Sequence, residues 1–349
     1  MGRLLKQFSE KTKLALLGQA CGDAFGAPFE YHRFGGRLAK FSMREQRYLS
    51  SKDCNRNSPR DFRLPGLYTD DTQQALLLLH AWLQTETPKD AAAHFLANCG
   101  AMATEPLPPE EEYRPYFGLH RGTGGNFRES ITTGKPVDTA GLGAAMRVGP
   151  VATVFDNAQE MVDWLFEVSK TTTSNPIAIA SALRYAAVVW VFSHAESRHQ
   201  IQQVVWPEEI PLDIWHATSK ALRIARVEDE ADIVAFATMT GWSDKILEGA
   251  ANGFALTGFP WVVKKALLSN SFSDALVGVC ESGGDTDTVA AMAGCLAALQ
   301  FGRDSIPSWM QDSLAQASII KDPINWGLQL ERNLVVLEAR NRRASSIVF

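Results

Sequence analysis

Apolar residues recur along this chain at helical rather than strand spacing. Ala75 to Gln84, Lys89 to Ala103, Asn157 to Ser169, Pro176 to Phe192, Leu212 to Val227, Ser243 to Leu256, Ser273 to Cys280, Thr286 to Phe301 and Pro323 to Arg340 are each predicted helical. Most place alanine, leucine or methionine at i, i+3 and i+4. Period-two alternation is scarce, and Ile201 to Trp206 and Val148 to Phe155 are the best strand candidates. The pattern predicts an all-α fold. Three stretches read as connections: polar Ser50 to Leu67, Pro-, Glu- and Gly-rich Glu105 to Gly125, and Trp206 to Leu212 with its two prolines. No fixed-period repeat is present.

Composition narrows the class. A chain of 349 residues with a formal net charge of −5 is long enough to bury a large core. Its mild acidity argues against a dedicated nucleic-acid binder. The run Arg340 to Arg343 reads as a solvated helix end. The five cysteines, Cys21, Cys54, Cys99, Cys280 and Cys295, include no CxxC pair. Neither a zinc site nor a disulfide framework is indicated, and buried thiols in a reducing compartment are expected. The short apolar patch Leu14 to Leu17 is soon followed by Gln19, Asp23 and Glu30, so it is neither a signal core nor a span. A cytoplasmic protein without membrane contact is the expectation.

Two acidic clusters then change the picture. Thr69-Asp70-Asp71-Thr72 and Gly283-Gly284-Asp285-Thr286-Asp287-Thr288 each precede an apolar run, so each sits where a helix begins. One acidic residue there is ordinary, because it caps free N–H groups and suits the helix dipole. Paired aspartates at two distant helix starts exceed what capping requires. Brought together, Asp70, Asp71, Asp285 and Asp287 repel unless a cation lies between them. With Thr69, Thr72, Thr286 and Thr288 alongside they form an all-oxygen set, which suits Mg²⁺, Mn²⁺ or Ca²⁺ rather than Zn²⁺. The clusters need each other, so the segments between them are expected to belong to one domain, residues 1–349, with its core at about 12–340.

Two other all-α metal chemistries fit less well. A DDxxD diphosphate motif lacks its third aspartate in Asp70-Asp71-Thr72-Gln73-Gln74. An ExxH di-iron motif occurs once, at Glu196-Ser197-Arg198-His199, without a second copy, and reads as surface.

The order of motifs resembles the ADP-ribosylglycohydrolase family. Four stretches carry it: Gly18 to Glu30, similar to the family's opening helix and GDxxGxPxE signature; Thr69 to Thr72; Gly141 to Pro150, similar to GNGAAMR-x-x-P; and Gly283 to Gly294. Trp309 after Ile306-Pro307 suits the family's usual C-terminal helix start. The resemblance implies a single multi-helix domain with a metal site between helix N-termini, holding Mg²⁺ or Mn²⁺, as two ions. By position, Thr69, Asp70, Asp71, Asp285, Asp287 and Thr288 would be ligands, and Glu30 and Asp71 would act in catalysis. The implied activity is hydrolysis of the glycosidic bond between ADP-ribose and an acceptor, with an ADP-ribosylated protein as partner. Arg121-Gly122-Thr123-Gly124-Gly125-Asn126 would bind the diphosphate through successive N–H groups, and Gly141, Gly143 and Met146 would border the ligand. Tyr113, Tyr116 and Phe117 are candidates to stack on adenine.

The chain departs from the family pattern at three places. Leu142 stands where many relatives have Asn, Phe127 where Thr is common, and Thr171 to Pro176 lacks the usual Thr-His pair. These changes touch substrate recognition rather than the ligand set. They motivate a second function, an immunity or antidote protein that docks on an ADP-ribosylating toxin, with or without hydrolysis. A purely structural role has no use for four aspartates.

Overall fold

The computed structural model describes residues 8–32, 34–50, 53–54, 65–103, 122–243 and 247–318. Fifteen α-helices run through them in chain order. They are α1 Glu10–Gly26, α2 Gly35–Glu45, α3 Asp70–Gln84, α4 Pro88–Ala103, α5 Gly125–Thr133, α6 Ala145–Ala152, α7 Ala158–Ser169, α8 Pro176–Ser193, α9 Gln200–Gln203, α10 Leu212–Val227, α11 Glu230–Met239, α12 Ala255–Leu268, α13 Phe272–Cys280, α14 Thr286–Phe301 and α15 Ser308–Ser318. Two isolated bridges, Val137 with Thr173 and Gly141 with Phe254, are the only β pairing among the described residues. The predicted helix Pro323 to Arg340, the run Arg340 to Arg343, and Arg121, Tyr113, Tyr116 and Phe117 lie outside them.

Local chemistry sets the helix starts. Asn157 caps α7, Ser271 caps α13, and Asn175 accepts from the N–H groups of Ile177 and Ala178 ahead of a first-turn proline in α8. α8 is long and apolar enough to cross a membrane by composition, yet it packs inside the fold, with Tyr185 and Trp190 fully buried. All five cysteines are buried free thiols.

α14 is the axis of the core. It is apolar all round, as a helix with no solvent face must be, and it touches α1, α3, α6, α8, α12 and α13. Among the described helices its contact with α1 is the most extensive. Gly18, Gly22 and Gly26 on α1 lie against Gly294, Ala290 and Thr286 on α14, backbone to backbone. A Cβ on Gly22 would stand 2.0 Å from the Ala290 carbonyl oxygen. The Thr286 hydroxyl donates to the Gly26 carbonyl at 2.9 Å. The exit of α1 is thereby fixed beside the entrance of α14.

Three sequence expectations are corrected. Val148 to Phe155 is not a strand: Val148 to Ala152 lies in α6, buried on every side, and a short continuous apolar run does not by itself tell helix from strand. Ile201 to Trp206 opens in the short helix α9. In the expected helix Ser243 to Leu256, the described residues from Leu247 to Phe254 are not helical. Gly249 and Gly253 take φ of 121° and 83°, and the Gly253–Ala255 backbone pairs with the 140–142 segment where α12 begins. Periodicity does not mark α1, α2, α5, α11 or α15, of which α1 and α15 are expected only from the family resemblance. α2 and α5 open on Gly-Gly pairs that look like loop.

Candidate active site

The two acidic clusters meet. α3 begins beside α1, and α14 begins where α1 ends, so Asp70, Asp71, Asp285, Asp287 and Thr288 all line one cavity of about 640 Å³ together with Glu30. Glu30 follows the 3-10 turn Ala27–Phe29, and the next amide, Tyr31, donates to the Gly284 carbonyl at 2.6 Å. Tyr31 sits at φ 52°, a left-handed conformation held open at the cavity edge. Gly284, at φ 79°, has no room for a side chain, because its Cβ would stand 1.9 Å from the Ala251 carbonyl oxygen. Carboxylate oxygens of Glu30, Asp285 and Asp287 lie within 4.8 Å of one another.

Capping does not consume these aspartates. The start of α3 is capped from another helix: the Asp23 carboxylate of α1 accepts from the N–H of Thr69 at 2.8 Å and of Thr72 at 3.0 Å, and from the Thr72 hydroxyl at 2.7 Å. Asp285 stands at the N-cap of α14 and makes no capping hydrogen bond. Asp287 Oδ1 accepts from the Thr288 N–H at 3.0 Å, and all four aspartates line the cavity. Asp71 Oδ1 is buried with no hydrogen-bond partner. The Thr69 hydroxyl lies 2.8 Å from Asp23 Oδ1 and 2.9 Å from Asp71 Oδ2, yet it has one proton to give.

Electrostatics tell the same story. Burial, then the Asp287 charge, pushes Asp23 up to about 6, against the pull of its hydrogen bonds from Thr72 and Thr69. Burial lifts Asp71 well above the usual carboxylate range, with the charges of Asp23, Asp287, Asp70 and Asp285 adding to it. Asp285 rises for the same reasons, burial first, then Asp287 and Glu30. An all-oxygen donor set, an unpartnered buried carboxylate oxygen and mutual repulsion fit a hard divalent cation.

Beyond the clusters, the described structure distributes the expected site residues as follows. Gly122, Gly124, Asn126, Gly141, Gly143 and Met146 line the same cavity. Gly125 is the first residue of α5 and does not line it, and Thr69 is fully buried behind Asp71. A Cβ on Gly143 would meet nothing within 4 Å. Of the positions that depart from the family pattern, Leu142, Phe127 and, within Thr171 to Pro176, Thr172, Thr173 and Asn175 are on the cavity wall.

Periodicity and motif gave no role to a polar relay behind Asp70. The Gln74 amide donates to Asp70 Oδ2 at 2.7 Å, and Arg147 donates to Gln74 Oε1 at 3.1 Å. Arg147 also donates to the Gly143 carbonyl at 2.7 Å and to the Thr172 hydroxyl, and its guanidinium lies over Phe95 and Phe127. Burial lowers its pKa to about 10, which still leaves it charged at neutral pH. By holding the Gln74 oxygen, Arg147 forces the amide nitrogen toward Asp70 and so orients that carboxylate. The i, i+4 spacing of Asp70 and Gln74 was a usable signal; Arg147 lies in the Gly141 to Pro150 motif, but its reach to Gln74 spans 73 residues and has no local signature. Arg147→Lys removes the fork that holds Gln74, Gly143 and Thr172 together. It is expected to lower kcat/KM by about 10- to 100-fold and to raise the metal concentration needed for half-maximal activity, since outer partners of a metal site typically carry that much. A metal-activation curve for the variant checks this.

Residues 5–343 match the family model described as ADP-ribosylglycohydrolase. The chain is 25% identical over 300 residues to the ADP-ribosyl-(dinitrogen reductase) glycohydrolase of Rhodospirillum rubrum, covering 85% of this chain and 87% of that protein. It is 22% identical over 342 residues to the ADP-ribosylhydrolase ARH3 of Homo sapiens, covering 85% and 87%. It is 25% identical to the uncharacterized protein YegU of Escherichia coli, covering 85% and 90%. A solved ADP-ribosylglycohydrolase-related protein complex shares the fold at a TM-score of 0.56 and 20% identity, over 95% of this chain and 98% of that one. The acidic clusters at the starts of α3 and α14 thus sit in a chain that belongs to the ADP-ribosylglycohydrolase family.

Proposed function

We propose that the protein is a divalent-metal-dependent hydrolase that cleaves the glycosidic bond between ADP-ribose and a modified protein side chain. The observation that carries this is the meeting of Glu30, Asp70, Asp71, Asp285 and Asp287 on one cavity large enough for a nucleotide-sized ligand. Asp70, Asp71, Asp285, Asp287 and Thr288 would hold Mg²⁺ or Mn²⁺, with Thr69 supporting Asp71 from behind. A bound divalent cation supplies positive charge to grip ribose hydroxyls and to acidify a water.

The chain's own residues account for the rest. The edge formed by the exposed Gly122 and Gly124 leads into α5, whose first-turn N–H groups receive no side-chain cap and suit a diphosphate. Gly141 and Gly143 leave room for the ribose to approach the backbone. Breaking the bond from C1″ to the acceptor nitrogen or oxygen builds oxocarbenium character at C1″, which nearby carboxylates stabilise. Water adds its oxygen to C1″, and its proton passes to a carboxylate. The acceptor leaves with the bonding pair and takes a proton. Glu30, half-buried at the edge of the acidic group, is the residue placed to handle that proton.

The test is release of free ADP-ribose from arginine- or serine-modified protein with Mg²⁺ or Mn²⁺ and after chelation. Turnover that chelation abolishes is expected, and none on either substrate with metal bound defeats the assignment. Glu30→Gln is expected to lower kcat by about 10²- to 10⁴-fold and to remove one limb of the pH–rate profile. A kcat within twofold of the parent protein would take Glu30 out of the chemistry.

A further inference from the structure

We propose that the α3–α4 hairpin carries a second metal site, separate from the acidic cavity and of opposite chemical character. It would take a zinc-type transition ion on His80 Nδ1, His94 Nε2 and the Asn98 side-chain oxygen. His80 lies in α3, ten residues from Asp70, which places it about 15 Å along the helix from the cavity at 1.5 Å rise per residue. His94 and Asn98 lie in α4 at i and i+4, on one face. None of the three lines the cavity.

The geometry is that of a chelate. His80 Nδ1 and His94 Nε2 face each other at 3.3 Å, with ring centroids 5.2 Å apart. Two imidazole nitrogens bound at about 2.0–2.1 Å in a tetrahedral site stand about 3.3–3.4 Å apart. The Asn98 amide group is 3.4 Å from the same His80 nitrogen. An amide's oxygen and nitrogen exchange places by a half-turn, so the same position offers Oδ1 as a third ligand. All three side chains are half-buried, and a water would complete a four-ligand set. Imidazole nitrogen selects zinc, nickel or copper over magnesium, so excess Mg²⁺ does not fill this site. An ion there would tie α4 to the helix whose first turn presents Asp70 and Asp71.

The experiment is a competition titration of Zn²⁺ against a chromogenic chelator, with the full chain held in excess Mg²⁺. One tight Zn²⁺ equivalent is expected. It should persist in the Asp70→Ala/Asp285→Ala protein and weaken by more than about tenfold in His80→Ala and in His94→Ala. Asn98→Asp, which replaces the amide oxygen by a charged one, is expected to tighten binding by about tenfold. A misfolded variant cannot imitate that gain. Zn²⁺ affinity equal in the parent and the His80→Ala/His94→Ala protein overturns the site, and an unchanged Asn98→Asp affinity overturns its third ligand.

Discussion

Gly22→Val is expected to unfold the protein or to lower its thermal midpoint by on the order of 10 °C. The magnitude comes from the α1–α14 contact. A Cβ at Gly22 would stand 2.0 Å from the Ala290 carbonyl oxygen, 2.7 Å from its carbon and 3.2 Å from Leu276 Cδ2. The first two obstacles are backbone in the middle of a buried helix, so no side-chain rotation relieves them. The helices must separate, and the glycines on either side stand equally close, with Gly18 2.3 Å and Gly26 2.1 Å from α14 oxygens by the same measure. Overpacking a core commonly costs about 1–3 kcal/mol. A rigid backbone clash repeated along an interface belongs in the tail above about 4 kcal/mol, a large share of the about 5–15 kcal/mol that holds an ordinary domain. Thermal unfolding followed by circular dichroism measures it. Gly143→Ala is the control, because a Cβ there meets nothing within 4 Å, and its midpoint should move by less than about 1 °C. If Gly22→Val melts with the control, α1 and α14 are not in direct backbone contact. Separation of these helices also moves Glu30 away from Asp285 and Asp287, so activity should fall before stability is exhausted.

Much of this was legible in the sequence because the decisive features are local. α10 and α14 begin and end where apolar spacing put them, and both acidic clusters fall on helix starts, since an apolar run following acidic and hydroxyl residues is a helix-entry signal. What was not legible depends on partners far along the chain. Asp23 caps α3 from 46 residues away, and Arg147 reaches Gln74 across 73. The glycine pairs at Gly35-Gly36 and Gly124-Gly125 read as loop. Yet Gly36 lies so close to α13 that a Cβ would stand 3.0 Å from Glu281 Cα, so its smallness serves packing. The segment before α12 has a helix-like composition, and it is held open instead by the positive-φ glycines Gly249 and Gly253 and by pairing with Gly141. The chain departs from helix there to deliver the Ala251 carbonyl to the Asp285 amide, at 2.7 Å, and the α14 entrance is set by that contact.

Adding Mg²⁺ or Mn²⁺ to metal-free protein at pH 7.5 is expected to raise its thermal midpoint, and Asp285→Asn is expected to abolish that rise together with catalysis. In the metal-free fold Asp23, Asp71 and Asp285 all sit above the usual carboxylate range because burial and neighbouring aspartates disfavour their charge. Folded-state values raised above the unfolded value of about 3.9 mean that the folded chain holds protons the unfolded chain has released. That contribution to stability is fully present at low pH. For Asp23 it is lost as pH climbs through about 6. At pH 7.5 the metal-free site is therefore at its least favourable, and a cation that binds only the folded state has the most repulsion to relieve. At a hundred times its Kd such an ion stabilises by about 2.7 kcal/mol. The rise should shrink toward pH 5, where protons compete for the same oxygens. Asn at position 285 keeps the shape and removes one charge from the Glu30–Asp285–Asp287 group. The metal-free variant should therefore be as stable as the parent protein or more so, while kcat/KM falls by at least about 10³, a loss of about 4 kcal/mol of transition-state stabilisation. Greater resting stability joined to lost metal response separates a metal centre from a structural carboxylate, because removing a structural carboxylate weakens the fold at every metal concentration.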